Sequence, residues 1–166
     1  MTTTEPFNPE SKFYQAESIQ TGQEGPSFPD ILRHFQGRQA TLTCEKGERF
    51  DLIEFVNRWK SGEAFQKLEH LDFKKLSSAF LPSQDQFLNA IAAQYIDATK
   101  KPPSHTLPKV YDRYCSLISS KTYTIVSHTY VVRESDNRVA SVLIEQETLR
   151  FGVWDKTEEE FLRMMD

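Results

Sequence analysis

The sequence predicts an α+β fold. Helices in the first two-thirds of the chain pack on a long curved antiparallel β-hairpin, in a small sheet of about three to four strands, and a short C-terminal helix closes the chain. Three observations carry this expectation. Apolar residues recur at helical spacing from about residue 28 to residue 118. Residues 122–134 and 139–151 are instead rich in Thr, Tyr, Val and Ile, with Ser135-Asp136-Asn137-Arg138 between them, which is a hairpin signature. Finally, Thr157-x-x-Glu160 forms a capping box ahead of Phe161, Leu162 and Met165.

The elements follow in order. Residues 1–26 are rich in Thr, Glu, Gln, Ser and Gly and show no periodicity. Such a segment buries too little apolar surface to offset its ordering entropy, so it reads as an acidic, flexible or draped arm. Within it, Phe7, Phe13 and Tyr14 are able to dock on the domain or on a partner. Residues 27–166 read as one α+β domain. Ser27-Phe28-Pro29-Asp30 opens a helix whose face is Ile31, Leu32 and Phe35, and Gly37 stops it. Ala40, Leu42 and Cys44 alternate with polar residues as in a strand. Asp51 and Glu54 open a helix carrying Leu52, Ile53, Val56 and Trp59, and Ser61-Gly62 ends it. A further helix is expected over 63–78, with Phe65, Leu68, Leu71 and Leu76 inward and His70 and Asp72 solvated.

The strongest helical pattern is 84–99. Ser83-x-x-Gln86 caps it, and Phe87, Leu88, Ile91, Ala92, Tyr95 and Ile96 form one stripe. Lys100-Lys101-Pro102-Pro103 breaks the chain before a helix over 108–118. If the hairpin closes on Asp136-Asn137, paired residue numbers sum to 273. His128 then faces Glu145, Val131 faces Val142, and Tyr130 faces Leu143.

The 166 residues carry 20 Lys+Arg against 24 Asp+Glu, a net charge of −4. Glu5, Glu10, Glu17, Glu24 and Asp30 against Lys12 give −5 + 1 = −4, so the whole net charge lies in the first 30 residues. Residues 100–121 hold Lys100, Lys101, Lys109, Arg113 and Lys121 against Asp112, or +4, and residues 155–160 sum to −3. No stretch approaches the roughly 20 apolar residues of a membrane span, and Met1 to Pro6 lacks the features of a signal peptide. The expectation is a cytoplasmic protein without membrane contact. Two cysteines, Cys44 and Cys115, are too few for a disulfide scaffold or a cysteine zinc site and read as buried thiols.

The catalytic patterns tested are missing: G-x-S-x-G, the phosphate-binding G-x-x-x-x-G-K-[ST], G-x-G-x-x-G and H-E-x-x-H. His34, His70, His105 and His128 are scattered, and none has a second ligand type at helical spacing. No metal and no cofactor are expected. The catalytic candidates are His128 and Glu145, whose pairing would fix an imidazole tautomer for general-base work. The binding candidates are Lys100, Lys101, Lys109, Arg113 and Lys121, with Tyr130.

Helices followed by a long curved hairpin are similar, in architecture alone, to the small cone-shaped α+β folds of the nuclear-transport-factor-2-like group. No motif is shared, and only three strands are placed where that group has a larger sheet. Such folds host enzymes, binding proteins and assembly modules. The reading chosen is a non-catalytic interaction module (adaptor, assembly or regulatory) that binds a protein partner or a second copy of itself. One alternative is a small enzyme or ligand carrier, its pocket between the hairpin and helix 84–99 lined by His128, Tyr130, Glu145 and Tyr95. Another is a nucleic-acid accessory protein using segment 100–121, which the net charge disfavours.

Overall fold

The computed structural model describes residues 8, 10–23, 28–44, 49–75, 83–106, 124–145 and 147–165. Within them the N-terminal half is built as strand, helix, strand, helix, strand. β1 (Ser18–Gln23), β2 (Gln39–Cys44) and β3 (His70–Lys75) lie side by side and parallel, with α1 (Phe28–His34) and α2 (Arg49–Lys60) in the two connections. Parallel neighbours require crossovers of this kind. The C-terminal half is antiparallel: β7 (Thr129–Val132), β8 (Arg138–Glu145) and β9 (Thr148–Thr157) meander, and β9 closes against β3. Between the halves run α3 (Gln84–Ala90) and β4 (Gln94–Tyr95), with β4 on the outer edge of β7. The result is one mixed sheet of seven strands, ordered β1-β2-β3-β9-β8-β7-β4. β5 (Ser104–Thr106) and β6 (Thr124–Val126) pair as a separate two-stranded ribbon, and α4 (Glu158–Arg163) ends the described chain.

This corrects the expected architecture. The chain is α+β, but its sheet is neither small nor a single hairpin. The 63–78 segment is not a helix. His70-Leu71-Asp72-Phe73 alternates, and with β2 and β9 as neighbours it pairs on both sides, burying Leu71 and Phe73 on one face. Helix 84–99 stops at Ala90. Ala92 takes a left-handed backbone (φ 49°), and the Lys60 ammonium donates to the Ile91 carbonyl at 2.7 Å. Gln94 and Tyr95 then join the open edge of β7. The 139–151 strand is two strands, since Glu145 pairs with Thr148 in a second hairpin. Residues 12–23, within the segment read as an arm, form a 3-10 turn (Lys12–Gln15) and β1. Tyr14 is buried there, tilted against His34 at 5.4 Å, so this part packs on α1 and pairs with β2. Phe7, Leu76, Cys115 and the helix expected over 108–118 fall outside the described residues.

Period two explains the two faces. Ile19, Ala40, Leu42, Cys44, Leu71, Phe73, Val131, Ala140, Val142, Leu149, Phe151 and Val153 join Ile31 and Leu32 of α1, Phe35 just after it, Leu52, Phe55, Val56 and Trp59 of α2, and Phe87 and Leu88 of α3 in one core. Phe151 receives Phe55 and Trp59 edge-on at 5.3 and 5.1 Å, contacts each worth roughly 0.5–1.5 kcal/mol beyond burial. The opposite face holds a smaller cluster of Ile96, Tyr130, Val139 and Phe161, with Val132, Trp154 and Met165 against it. Phe161 arrives through α4, whose N-terminus is closed by the Thr157–Glu160 capping box.

The β7–β8 hairpin closes with Tyr130 opposite Ser141 and Val131 opposite Ala140, pairs that sum to 271. Its loop is longer than two residues because Arg133 holds it. The Arg133 guanidinium donates to both Asp136 carboxylate oxygens, at 2.9 and 2.6 Å, and lies over Trp59 at 5.2 Å. Asn137 supplies the left-handed residue (φ 57°).

Gly37 meets a closer constraint. A methyl group there would stand 2.0 Å from the Ala16 carbonyl oxygen, where backbone has no room to yield. Gly37→Ala is therefore expected to cost about 2 kcal/mol or more, as overpacking typically does. A shift of the urea midpoint with an unchanged slope is the measurement.

Candidate functional site

The expected His128–Glu145 pair does not form. The two-residue change of register removes His128 from opposite Glu145, and Glu145 is committed to β9. His128 is exposed, with its carbonyl accepting from the Ile96 amide at 2.8 Å. Tyr95 is 60% exposed on the β4 edge. Tyr130 is buried; its hydroxyl donates to Glu158 at 3.0 Å and lies 3.1 Å from the Gln94 side-chain amide. Burial, then the Glu158 carboxylate, pushes this phenol up to about 12. These four residues do not line a common cavity: Tyr130 points into the smaller cluster while the other three are exposed. A depression beside α2 is a shallow open surface lined by Ile53, Glu54, Asn57, Arg58, Ser61 and Glu63. Lys100 and Lys101 are exposed, ahead of the ribbon. Lys109, Arg113 and Lys121 lie outside the described residues.

The chemistry concentrates instead on the sheet face away from α1 and α2. Register aligns His70, Gly152, Ser141, Tyr130 and Gln94 across five strands of one row. The next row on this face holds Asp72, Arg150 and Leu143. The β5–β6 ribbon lies across β8 and β9 over the first row. Its inward side chains are His105 and Ile125, and both are buried.

His105 sits where Gly152 leaves space. A Cβ on Gly152 would lie 2.8 Å from His105 Nδ1 and 2.9 Å from Ile125 Cδ1, so only glycine admits the ribbon this close. His105 Nε2 is 2.8 Å from the Val153 carbonyl oxygen, which makes Nε2 the protonated nitrogen and leaves Nδ1 as a lone pair. Trp154 packs edge-on against the same imidazole at 5.0 Å, and its indole N–H donates to Ser141 at 2.9 Å.

His70 lies parallel to His105, with ring centroids 6.5 Å apart and planes 18° from parallel. Relative exposures are 3% for His70 and 6% for His105. Both nitrogens of His70 and Nδ1 of His105 are buried without a hydrogen-bond partner among the described residues. Arg150 is near, its Nε 3.9 Å from Asp72 and its NH1 nitrogen 3.6 Å from Glu145. Burial first, then His105 and Arg150, pushes the His70 imidazole down to about 3. Burial also lowers His105, opposed by its bond to the Val153 carbonyl and by Glu69. Burial raises Asp72, partly offset by Arg150 and Lys74.

No local pattern announces this pair. His70 and His105 are 105 − 70 = 35 residues apart, on strands of different sheets. The available signal was the alternation of His70-Leu71-Asp72-Phe73, which puts His70 and Asp72 on one side of a strand. The arrangement can hold two neutral imidazoles in a dry contact, and it disfavours adding a proton to either. Among the described residues no group of three or more His, Cys, Asp or Glu is placed to hold a metal ion, and no helix is long and apolar enough to cross a membrane. No protein-family model, curated protein or solved structure matches the chain.

Two outcomes follow from the site. The unfolded chain takes up a proton at His70 near pH 6.5, whereas the native chain resists it until about pH 3. Stability from this group is complete above about pH 6.5 and falls as the pH drops through 6.5 toward 3. At pH 5 the loss relative to pH 7.5 is about 2 kcal/mol. Urea denaturation at the two values measures it, and His70→Gln removes that share of the difference. Independently, Gly152→Ala is expected to cost about 2 kcal/mol through the collision with His105 and Ile125. Trp154 fluorescence follows that loss directly.

Proposed function

We propose that this chain is a cytoplasmic, non-catalytic protein-interaction module that presents its basic segment 100–121 to an acidic partner surface. The observation that supports this reading is the ladder of β5 with β6. Ser104 pairs with Val126 and Thr106 with Thr124, so the residues that flank segment 107–123 lie side by side. His105 and Ile125 seat that ladder on the sheet. Residues 100–121 carry five basic residues against one acidic residue on a chain of net charge −4. A local positive patch on a negative protein suits an acidic protein surface better than nucleic acid, because long-range repulsion opposes a uniformly charged polyanion. The small-enzyme alternative gains no support from the geometry, since its four residues do not converge.

The test uses the full chain, a fluorescent poly-glutamate peptide and a single-stranded oligonucleotide as probes. Binding to the peptide is expected to weaken as sodium chloride rises from about 50 to 300 mM, because added salt shortens the screening length. Lys100→Glu with Lys101→Glu is expected to weaken it roughly tenfold, a factor equal to ~1.4 kcal/mol. Their circular dichroism and Tm stay those of the parent. Absence of peptide binding, or an unchanged affinity in the double variant, overturns the proposal. Tighter binding of the oligonucleotide than of the peptide assigns the segment to nucleic acid instead.

A further inference from the structure

We propose that His70 and His105 form a proton-sensitive latch that holds the β5–β6 ribbon on the sheet and releases it on acidification. The inference stands on packing and does not depend on what segment 107–123 binds. The inward side chains of the ribbon are His105 and Ile125, and both descend on Gly152. His105 is the polar anchor: it donates to the Val153 carbonyl, lies parallel to His70 and contacts the Trp154 edge. His70, beside Gly152 on β3 and 6.5 Å from His105 between ring centroids, has two buried nitrogens with no partner among the described residues. A proton arriving on either imidazole has no acceptor on the other side of the contact, and it places a cation in a dry site.

The charged groups facing the pair fix the direction of the effect. From β9 comes Arg150, a cation. On the β3 segment Asp72 faces Arg150, and Glu69, which acts on His105, is paired with Arg38. The described part of β6 contributes no ionisable group. Nearby carboxylates are thus already engaged, and protonation of one histidine meets the other histidine and Arg150. Lifting the ribbon relieves this at modest cost. The ribbon is two short strands, of three residues each, and the core against α1, α2 and α3 is on the far side of the sheet. Opening therefore hydrates both imidazoles without disturbing the main core, a local opening of the kind native proteins undergo below their global stability.

Hydrogen exchange on the full chain at pH 7.5 and pH 5.0, corrected for the intrinsic pH dependence, tests this. Amides of residues 104–106 and 124–126 are expected to lose at least tenfold in protection at pH 5.0. Amides of β2, α2 and β8, which exchange through global unfolding, are expected to stay better protected than the ribbon's at both pH values. His70→Gln and His70→Leu each remove the ionisable group beneath the ribbon, and either one that folds is expected to flatten the ribbon's pH dependence. Ribbon protection that is the same at both pH values overturns the latch. So does ribbon protection equal to that of the β2, α2 and β8 amides at pH 5.0, or a His70 variant that keeps the full pH dependence of the parent.

Discussion

The fold turns on β9, the strand that has to satisfy three demands at once. On one edge it completes the parallel half through β3, on the other it completes the antiparallel half through β8. Its helix face supplies Phe151, the residue on which Phe55 and Trp59 of α2 converge. Its other face supplies Gly152, whose missing side chain admits His105 and Ile125. Consecutive residues of one strand therefore hold the aromatic contact with α2 and the seat of the ribbon's inward side chains. Period two makes this possible, since neighbours in a strand belong to opposite faces. Removing bulk at 151 or adding it at 152 strikes different layers of the same molecule.

The parts of the fold legible in sequence are those whose signal is local. The alternation of Ala40, Leu42 and Cys44 lies in β2, Asp51 to Gly62 brackets most of α2, and Thr157-x-x-Glu160 caps α4. The parts that were misread depend on partners far along the chain. Leu68 and Leu71 are three apart and mimic a helix stripe, yet β2 and β9 offer β3 a complete set of hydrogen bonds on both edges. Residues 94–96 continue the α3 stripe in sequence, but the β7 edge captures Gln94 and Tyr95 while Ile96 turns into the second cluster. β1 offers one buried apolar residue, Ile19, and its composition reads as an arm.

The candidate site was less legible than the fold. Pairing His128 with Glu145 required a two-residue turn, and the Arg133–Asp136 clasp builds a longer one. The slip of two preserved which face each residue occupies and changed every partner. Tyr130 accordingly remained on its expected side and met Ser141 in place of Leu143. The histidines that do meet lie on different sheets, and nothing in the spacing of four scattered imidazoles distinguishes His70 and His105 from His34 and His128.

The position of β9 also orders events during synthesis. β3 pairs with residues 148–152, so His70 waits for Gly152, 152 − 70 = 82 residues later. At roughly 5–20 residues per second that interval is on the order of ten seconds. Throughout it, the β3 edge that β9 later occupies has no strand to pair with. The β3 edge thus depends on a strand made much later, and a pause in synthesis between residues 75 and 148 lengthens the wait for its partner.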